Sequence, residues 1–382
     1  MTEVQPIQVI KGNTAAAVAA KLCRVKYIPA YPITPQTTII EEIASMIAKK
    51  EMDANMVNME SEHSVFSAAL GSSMTGARTF TATSGQGLFY AHEVLHAIAH
   101  FRQPIVICNV GRPSIPWNIW ADQSDSLSQR DTGWLQFYGE SSQEILDSII
   151  QGYKIAEKLS LPVMVVSDAF YQSHTSENVN VPEQELVDSY LPQRKISENT
   201  IQVESPKSFG GLVPPEIYDR FNKLHWEAMN IAEEETIQAG KEFSKIFGRE
   251  YGAVEAVNIN QNTKTILVAL STITTTIRGV LAKYPEVGLL KIRLFRPFPV
   301  ISITEIMKSV SPECRMITID RNYMGEKEGC VHQEMKRALY GKNFPIYDVY
   351  AGVGGKDVPP ETIERIINFD FGQNVDPVWI DI

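Results

Sequence analysis

The chain has 382 residues, 44% hydrophobic and 21% charged, an ordinary balance for a globular chain able to bury cores in two or three domains. Its net charge of −10 argues weakly against nucleic acid as a main partner, because phosphate binding wants a basic surface. No apolar run approaches the ~20 residues of a membrane span, and the opening residues lack a basic stretch followed by an apolar core. Neither nucleic acid nor a membrane is therefore expected as a partner, and the expected location is cytoplasmic.

Taken in chain order, the first helix is predicted in the alanine-rich run T-A-A-A-V-A-A-K-L-C, with Asn13 as its cap. A short strand over Tyr27–Tyr31 stops at Pro32 and Pro35, and a helix over Thr37–Lys50 follows. Strands are expected at Met56–Met59 and Arg78–Thr83, around a helix from Ser64 to Thr75. Next comes F-Y-A-H-E-V-L-H-A-I-A-H (89–100), which contains a complete H-E-x-x-H match, the helical spacing of a zinc peptidase. The extended form fails, since position 99 is alanine and position 102 arginine, and the next glutamate after Glu93 is Glu140. A chance match is the better reading, and no metal site is expected.

Pro104–Val110 and L-P-V-M-V-V-S-D read as buried parallel strands, separated by the amphipathic helix S-S-Q-E-I-L-D-S-I-I-Q-G-Y-K-I-A-E-K. Residues 183–215 are polar and proline-bearing, and a long helix is predicted over Pro215–Phe247. A second α/β block follows, with strands at Thr265–Leu270, Gly288–Leu294, Arg315–Asp320 and Ile346–Tyr350 and a helix at Thr274–Tyr284. M-G-E-K-E-G (324–329) reads as a surface turn, since its acidic residues suit no phosphate. The four cysteines, Cys23, Cys108, Cys314 and Cys330, are scattered without any C-x-x-C, so they supply no set for an iron–sulfur cluster or zinc. The alternation predicts an α/β chain with helices on both faces of parallel sheets, divided into residues 1–250 and 251–382.

In open parallel sheets, sites gather where loops leave the carboxyl ends of strands. Four stretches fall there: Y-P-I-T-P-Q-T-T (31–38), M-E-S-E-H-S (59–64), T-A-T-S-G-Q-G (81–87) and G-R-P-S-I-P-W-N-I-W (111–120). In this order and spacing they resemble the α subunit of the pyruvate:ferredoxin oxidoreductase family of 2-oxoacid oxidoreductases. The resemblance continues through D-Q-S-D-S-L-S-Q-R-D-T-G-W (122–134), S-D-A-F (167–170), R-L-F-R-P-F-P (293–299) and A-G-V-G-G-K-D-V (351–358).

The resemblance implies a pyrimidine-type thiamine-diphosphate-binding, doubly wound domain, followed by a transketolase C-terminal-like α/β domain that serves mainly in assembly. It implies oxidative decarboxylation of a 2-oxoacid, with coenzyme A usually collecting the acyl group. The diphosphate and Mg2+ would lie on a β subunit, and [4Fe-4S] clusters on partner subunits, γ and ferredoxin-like chains among them. This division agrees with the lack of any G-D-G in the chain. Matched residue by residue, Glu62 is the carboxylate that bonds N1′ of the aminopyrimidine, although strand alternation does not separate it from Glu60. Thr34 and Arg112 match the groups that receive the substrate carboxylate, with Trp117 and Asn118 beside them. Pro32, Gly85, Gln86 and Gly87 fall where the cofactor ring would approach.

Departures from the family pattern sit in the substrate loops. Where single-chain pyruvate enzymes commonly show N-R-A-L-S-A-P-I-N-I-W, this chain has Gly111 for asparagine, Trp117 for isoleucine and an arginine one residue nearer N-I-W. Phe89 and Tyr90 replace smaller residues, and Gly85 replaces serine. Pyruvate, an aryl glyoxylate or another 2-oxoacid therefore stay open. Oxalate suits the loop less, because a dianion would favour a second cation near Thr34. A non-catalytic subunit of such a complex is the alternative.

Overall fold

The computed structural model describes residues 6–372 and 376–380. Parallel strands at Phe80–Thr83, Val106–Gly111, Val163–Asp168 and Leu135–Tyr138 lie side by side in that order. Tyr27–Ala30 pairs in parallel with Asn55–Asn58, and a parallel bridge from Tyr27 to Thr79 attaches this pair beside Phe80–Thr83. All these strands point the same way. The loops that follow Ala30, Asn58, Thr83 and Gly111 consequently leave from one edge.

Every residue of Val106–Gly111 and Val163–Asp168 is buried, which is why both stretches lack polar–apolar alternation. Alternate residues feed different cores. Val163 and Val165 pack with the helices Gly12–Leu22 and Ser142–Leu159, while Met164 and Val166 join a core containing Ile266, Val268 and Leu290 of the second block. The second sheet runs Val378–Trp379, Ile346–Tyr350, Arg315–Asp320, Thr265–Ala269, Val287–Ile292 and Val254–Val257, with only the last strand antiparallel. The α/β class expected from the sequence, with its parallel sheets, is what the chain forms.

Several local expectations shift. Asn13 is no cap: the helix starts at Gly12, and the buried Asn13 amide donates to Pro35 O at 2.8 Å and Thr38 Oγ1 at 2.7 Å. The first helix is thereby tied to the 31–38 loop. The helix expected from Ser64 begins at Glu62, because Ser61 accepts from Ser64 N and caps it. The polar stretch after 183 opens with a helix, Gln184–Tyr190, and Ser176–Asn180 pairs antiparallel with Ile7–Lys11. Leu294–Arg296 crosses to the first sheet and pairs antiparallel with Leu135–Tyr138. The long helix spans Pro215–Phe247, and the exposed residues Gly325–Lys327 keep the 324–329 stretch a surface turn.

A buried charge cluster joins the two domains. Lys291, on the second sheet, lies 2.8 Å from Glu144 and 3.1 Å from Glu140, and its side chain is 3% exposed. Arg293 Nε lies 3.2 Å from Glu144, and its guanidinium also donates to Ser148 Oγ at 2.9 Å. Burial alone would depress the Lys291 ammonium, but Glu144 and Glu140 outweigh it and raise it. Removing the Glu144 carboxylate would strip the buried Arg293 of its paired carboxylate and leave Lys291 to its longer contacts with Glu140 and Glu255. Glu144→Ala should therefore cost about 3–5 kcal/mol in a denaturant titration, and a loss below about 1 kcal/mol would contradict this reading of the cluster.

Candidate active site

One buried carboxylate organises the shared edge. Asp125 Oδ2 accepts from Gly85 N at 2.8 Å, Asn109 Nδ2 at 3.1 Å and Arg112 N at 3.2 Å, while Oδ1 accepts from Ser126 N at 2.6 Å. Burial pushes its pKa up to about 7, against the pull of these donors. The turns after Thr83 and Gly111 are thus held by a single side chain. Asp125 lies in D-Q-S-D-S, a stretch whose sequence does not reveal this role. Its only local signal is an acidic residue set among serines just after the arginine loop.

Glu62 sits at the first position of its helix, 7% exposed. Its pKa is raised by burial, opposed by its own backbone amide and by the Arg112 guanidinium. Glu60, by contrast, is exposed, accepts from Ser64 Oγ and is held low by that bond. The strand ends at Asn58, so strand alternation never applied to this pair; burial separates them. Gly87 lies directly against Glu62. A Cβ there would stand 2.3 Å from Glu62 Oε1 and 2.6 Å from Thr83 Oγ1, so only glycine leaves this space open. Thr83, another residue the sequence left unassigned, has its buried hydroxyl without a hydrogen-bond partner among the described residues.

Arg112 is half-buried and reaches across the loops, donating from Nη1 to Thr34 O and from Nη2 to Gln86 Oε1. Gln86 returns through Nε2 to Ser114 O at 2.5 Å. The Arg112 side chain lies flat over Gly85, where a Cβ would meet Nε at 2.2 Å; the φ of +49° there also demands glycine. Arg112 Nε is buried with no hydrogen-bond acceptor among the described residues. Burial lowers the guanidinium pKa, Asp125 and Glu62 oppose this, and the group stays a cation.

The structure therefore brings together Glu62, Gly85, Gln86, Gly87, Arg112 and the Thr34 backbone. Pro32 and the Thr34 side chain lie exposed on the neighbouring loop, where Gln36 Nε2 holds Tyr31 O at 2.8 Å. Trp117 and Asn118 are not part of this cluster. Trp117 is 80% exposed on the outer part of the arginine loop. Asn118 spends its amide on Gly354 O at 2.7 Å and accepts from Trp120 N at 2.6 Å.

H-E-V-L-H lies on the helix His92–His100, which follows the glycine turn. His92 Nδ1 bonds Gln129 Oε1 at 2.5 Å, while the exposed Glu93 pairs with His63 at 3.5 Å. The rings of His92, His96, His100 and His225 form a ladder with successive centroids 5.0, 6.3 and 5.1 Å apart. Among the described residues, no group of three or more His, Cys, Asp or Glu is placed to hold a metal ion. Glu93, the glutamate of the H-E-x-x-H match, is thus engaged with His63. All four cysteines are buried and free, and burial pushes the Cys108 and Cys330 thiols up to about 12.

Residues 18–241 match the family model described as "Pyruvate flavodoxin/ferredoxin oxidoreductase, thiamine diP-bdg", and residues 263–363 match "Pyruvate:ferredoxin oxidoreductase core domain II". The chain is 43% identical over 376 residues to the ketoisovalerate oxidoreductase subunit VorA of Pyrococcus horikoshii, covering 95% of this chain and 94% of that one. It is 39% identical over 383 residues to the pyruvate synthase subunit PorA of Methanothermobacter thermautotrophicus, covering 98% of each. In fold it is similar to 2-oxoglutarate:ferredoxin oxidoreductase from Magnetococcus marinus, with a TM-score of 0.73 at 19% identity, over 95% of this chain and 65% of that one. A split-gene transketolase superposes with a TM-score of 0.52 at 11% identity, over 94% of this chain and 93% of that one. Among the described residues, no helix is long and apolar enough to cross a membrane.

The burial of Glu62 has a measurable cost. A carboxyl whose folded pKa is raised contributes stability below its ordinary value and loses it as pH climbs through the raised one. The purified Glu62→Gln chain should unfold at the same temperature as the parent near about pH 4 and at a higher temperature near about pH 8. A parent chain that is equally or more stable at the higher pH would contradict the placement of Glu62.

Proposed function

The chain belongs to the pyruvate flavodoxin/ferredoxin oxidoreductase family, as an α-type subunit of a multi-subunit 2-oxoacid:ferredoxin oxidoreductase; on that premise we propose that it contributes half of a shared site, gripping the aminopyrimidine of thiamine diphosphate and the carboxylate of a 2-oxoacid. The convergence of Glu62, Thr83 and Gly87 beneath Arg112 carries this reading. These residues fit the cofactor ring. A buried carboxyl faces a gap that a single Cβ would fill, beside a hydroxyl with no partner among the described residues.

Thiamine diphosphate, when bound, supplies the carbon nucleophile and electron sink that decarboxylation of a 2-oxoacid requires. Glu62 is the catalytic residue of this chain. Burial raises its pKa and so favours the protonated carboxyl, the form that can share a proton with ring nitrogen N1′. Gly85, Gln86 and Gly87 let the backbone approach the ring, with Pro32 at its border. Arg112 receives the substrate carboxylate, helped by the Thr34 hydroxyl. Its Nη groups are already anchored to Thr34 O and Gln86, so the guanidinium is oriented before substrate arrives. Trp117 and Asn118, on the same loop, bound the substrate space from its rim.

We assign the ring-gripping work to residues 1–250, in the cytoplasm, and the remaining half-site to partners. A β subunit would hold the diphosphate and Mg2+, in keeping with the absence of G-D-G here. Clusters of the [4Fe-4S] type on γ or ferredoxin-like subunits would take the electrons, and coenzyme A the acyl group. Relatives named for ketoisovalerate and for pyruvate match at comparable identity, so both acids stand as substrates, with an aryl glyoxylate behind them and oxalate last.

In the assembled complex, Glu62→Gln should lower turnover by about two orders of magnitude or more, measured with a viologen acceptor over a panel of 2-oxoacids. Unchanged activity on every acid would support a non-catalytic role for this subunit.

A further inference from the structure

The loop that carries Arg112 is built as much by the second domain as by the first. Gly354 is clamped at both ends: its N–H donates to Asp122 Oδ2 at 2.8 Å, and its carbonyl accepts from Asn118 Nδ2 at 2.7 Å. The neighbouring Gly355 packs against Trp120, where a Cβ would stand 2.1 Å from Trp120 Cβ and 3.0 Å from Ala121 N. Gly352, Gly354 and Gly355 have φ of +75°, +66° and +83°, so side chains there are strained as well as crowded.

The turn is braced from outside too. Tyr171 Oη donates to Gly355 O at 3.0 Å and contacts Asp357 Oδ1. The guanidinium of Arg321 lies over the Tyr171 ring at 5.1 Å and bonds the buried Asp168 at 2.9 Å. The backbone of Arg321 accepts from Gln123 N at 3.2 Å. Residues 118–123 therefore touch the second domain through two side chains, one glycine contact and one backbone bond. The other end of this loop is Arg112, pinned to Asp125 and lying over Gly85.

We propose that the Gly352–Gly355 turn of the second domain is a specificity-determining positioning element, which sets the depth of the Arg112–Trp120 loop and hence the size of 2-oxoacid the site accepts. The inference rests on the reading of Arg112 as the carboxylate receptor. Gly355 acts through Trp120 and Asn118, without touching substrate. The length of the loop alone does not fix the pocket; the floor it rests on does. A domain expected to serve mainly in assembly thus takes part in choosing the substrate.

The test uses the assembled complex with its partner subunits. Gly355→Ala should raise KM for the preferred 2-oxoacid about tenfold while kcat changes less than about twofold, because the loop is displaced but the ring-gripping residues are not. The ranking of kcat/KM between pyruvate and 2-oxoisovalerate should shift, and the apparent affinity for thiamine diphosphate should hold. Hydrogen exchange of residues 112–121 in the complex should become faster. Tyr171→Phe, which removes both hydroxyl contacts without straining the turn, should move KM and exchange in the same direction by a smaller factor; it decides the matter if the glycine variant does not assemble. Arg112→Lys separates the two levels of the argument. If it leaves every KM unchanged, the carboxylate reading itself falls. If it raises KM while Tyr171→Phe, and Gly355→Ala where it assembles, alter neither KM, ranking nor exchange, the positioning role alone is overturned.

Discussion

The site depends on one buried carboxylate. Asp125 gathers the amides of Gly85, Arg112 and Ser126 and the side chain of Asn109, and so fixes two loops leaving adjacent strands relative to each other. Hydrogen bonds to a charged group are worth roughly 1.5–3 kcal/mol each, and desolvation of a buried ion costs several kcal/mol. Here burial outweighs the donors, and the pKa is pushed up to about 7. Such a hub adds little net stability. What it supplies is register: Gly85 with its positive φ, and Arg112 laid across it, hold one arrangement.

The rest of the site follows from strand order. The strands ending at Asn58, Ala30, Thr83 and Gly111 are neighbours and parallel, so their loops meet on one edge. Glu62 then rises at a helix start beside Thr83 and Gly87, and Arg112 lies against the neighbouring Gly85. In the proposed reading this edge receives a flat ring and one carboxylate, while the chain carries no G-D-G. The second domain is fastened through Lys291 and Arg293 on Glu144 and through the Gly354 clamp.

Much of this was legible in the sequence. Buried parallel strands announce themselves as apolar runs, and the motif order around 31–38, 59–64, 81–87 and 111–120 pointed to the family. Glu62 over Glu60 needed the structure, because the strand ended sooner than alternation assumed and Ser61 began a helix. Asp125 was hidden for a general reason: a residue acting mainly through the amides of other loops leaves no local pattern. Leu294–Arg296 and the Ile7–Lys11 pairing were likewise invisible, since both are made by contacts far apart in sequence. Asn118 stands on the arginine loop, and its amide is engaged with a turn more than two hundred positions away, a contact that no local pattern announces.

The central claim is that this chain is half of a catalytic site. The most direct measurement is thiamine-diphosphate-dependent release of CO2 from 2-oxoacids by the purified chain, alone and after reconstitution with its partner subunits. The half-site account predicts no cofactor-dependent release from the chain alone and turnover once the partners are restored. Cofactor-dependent decarboxylation by the isolated chain would contradict it.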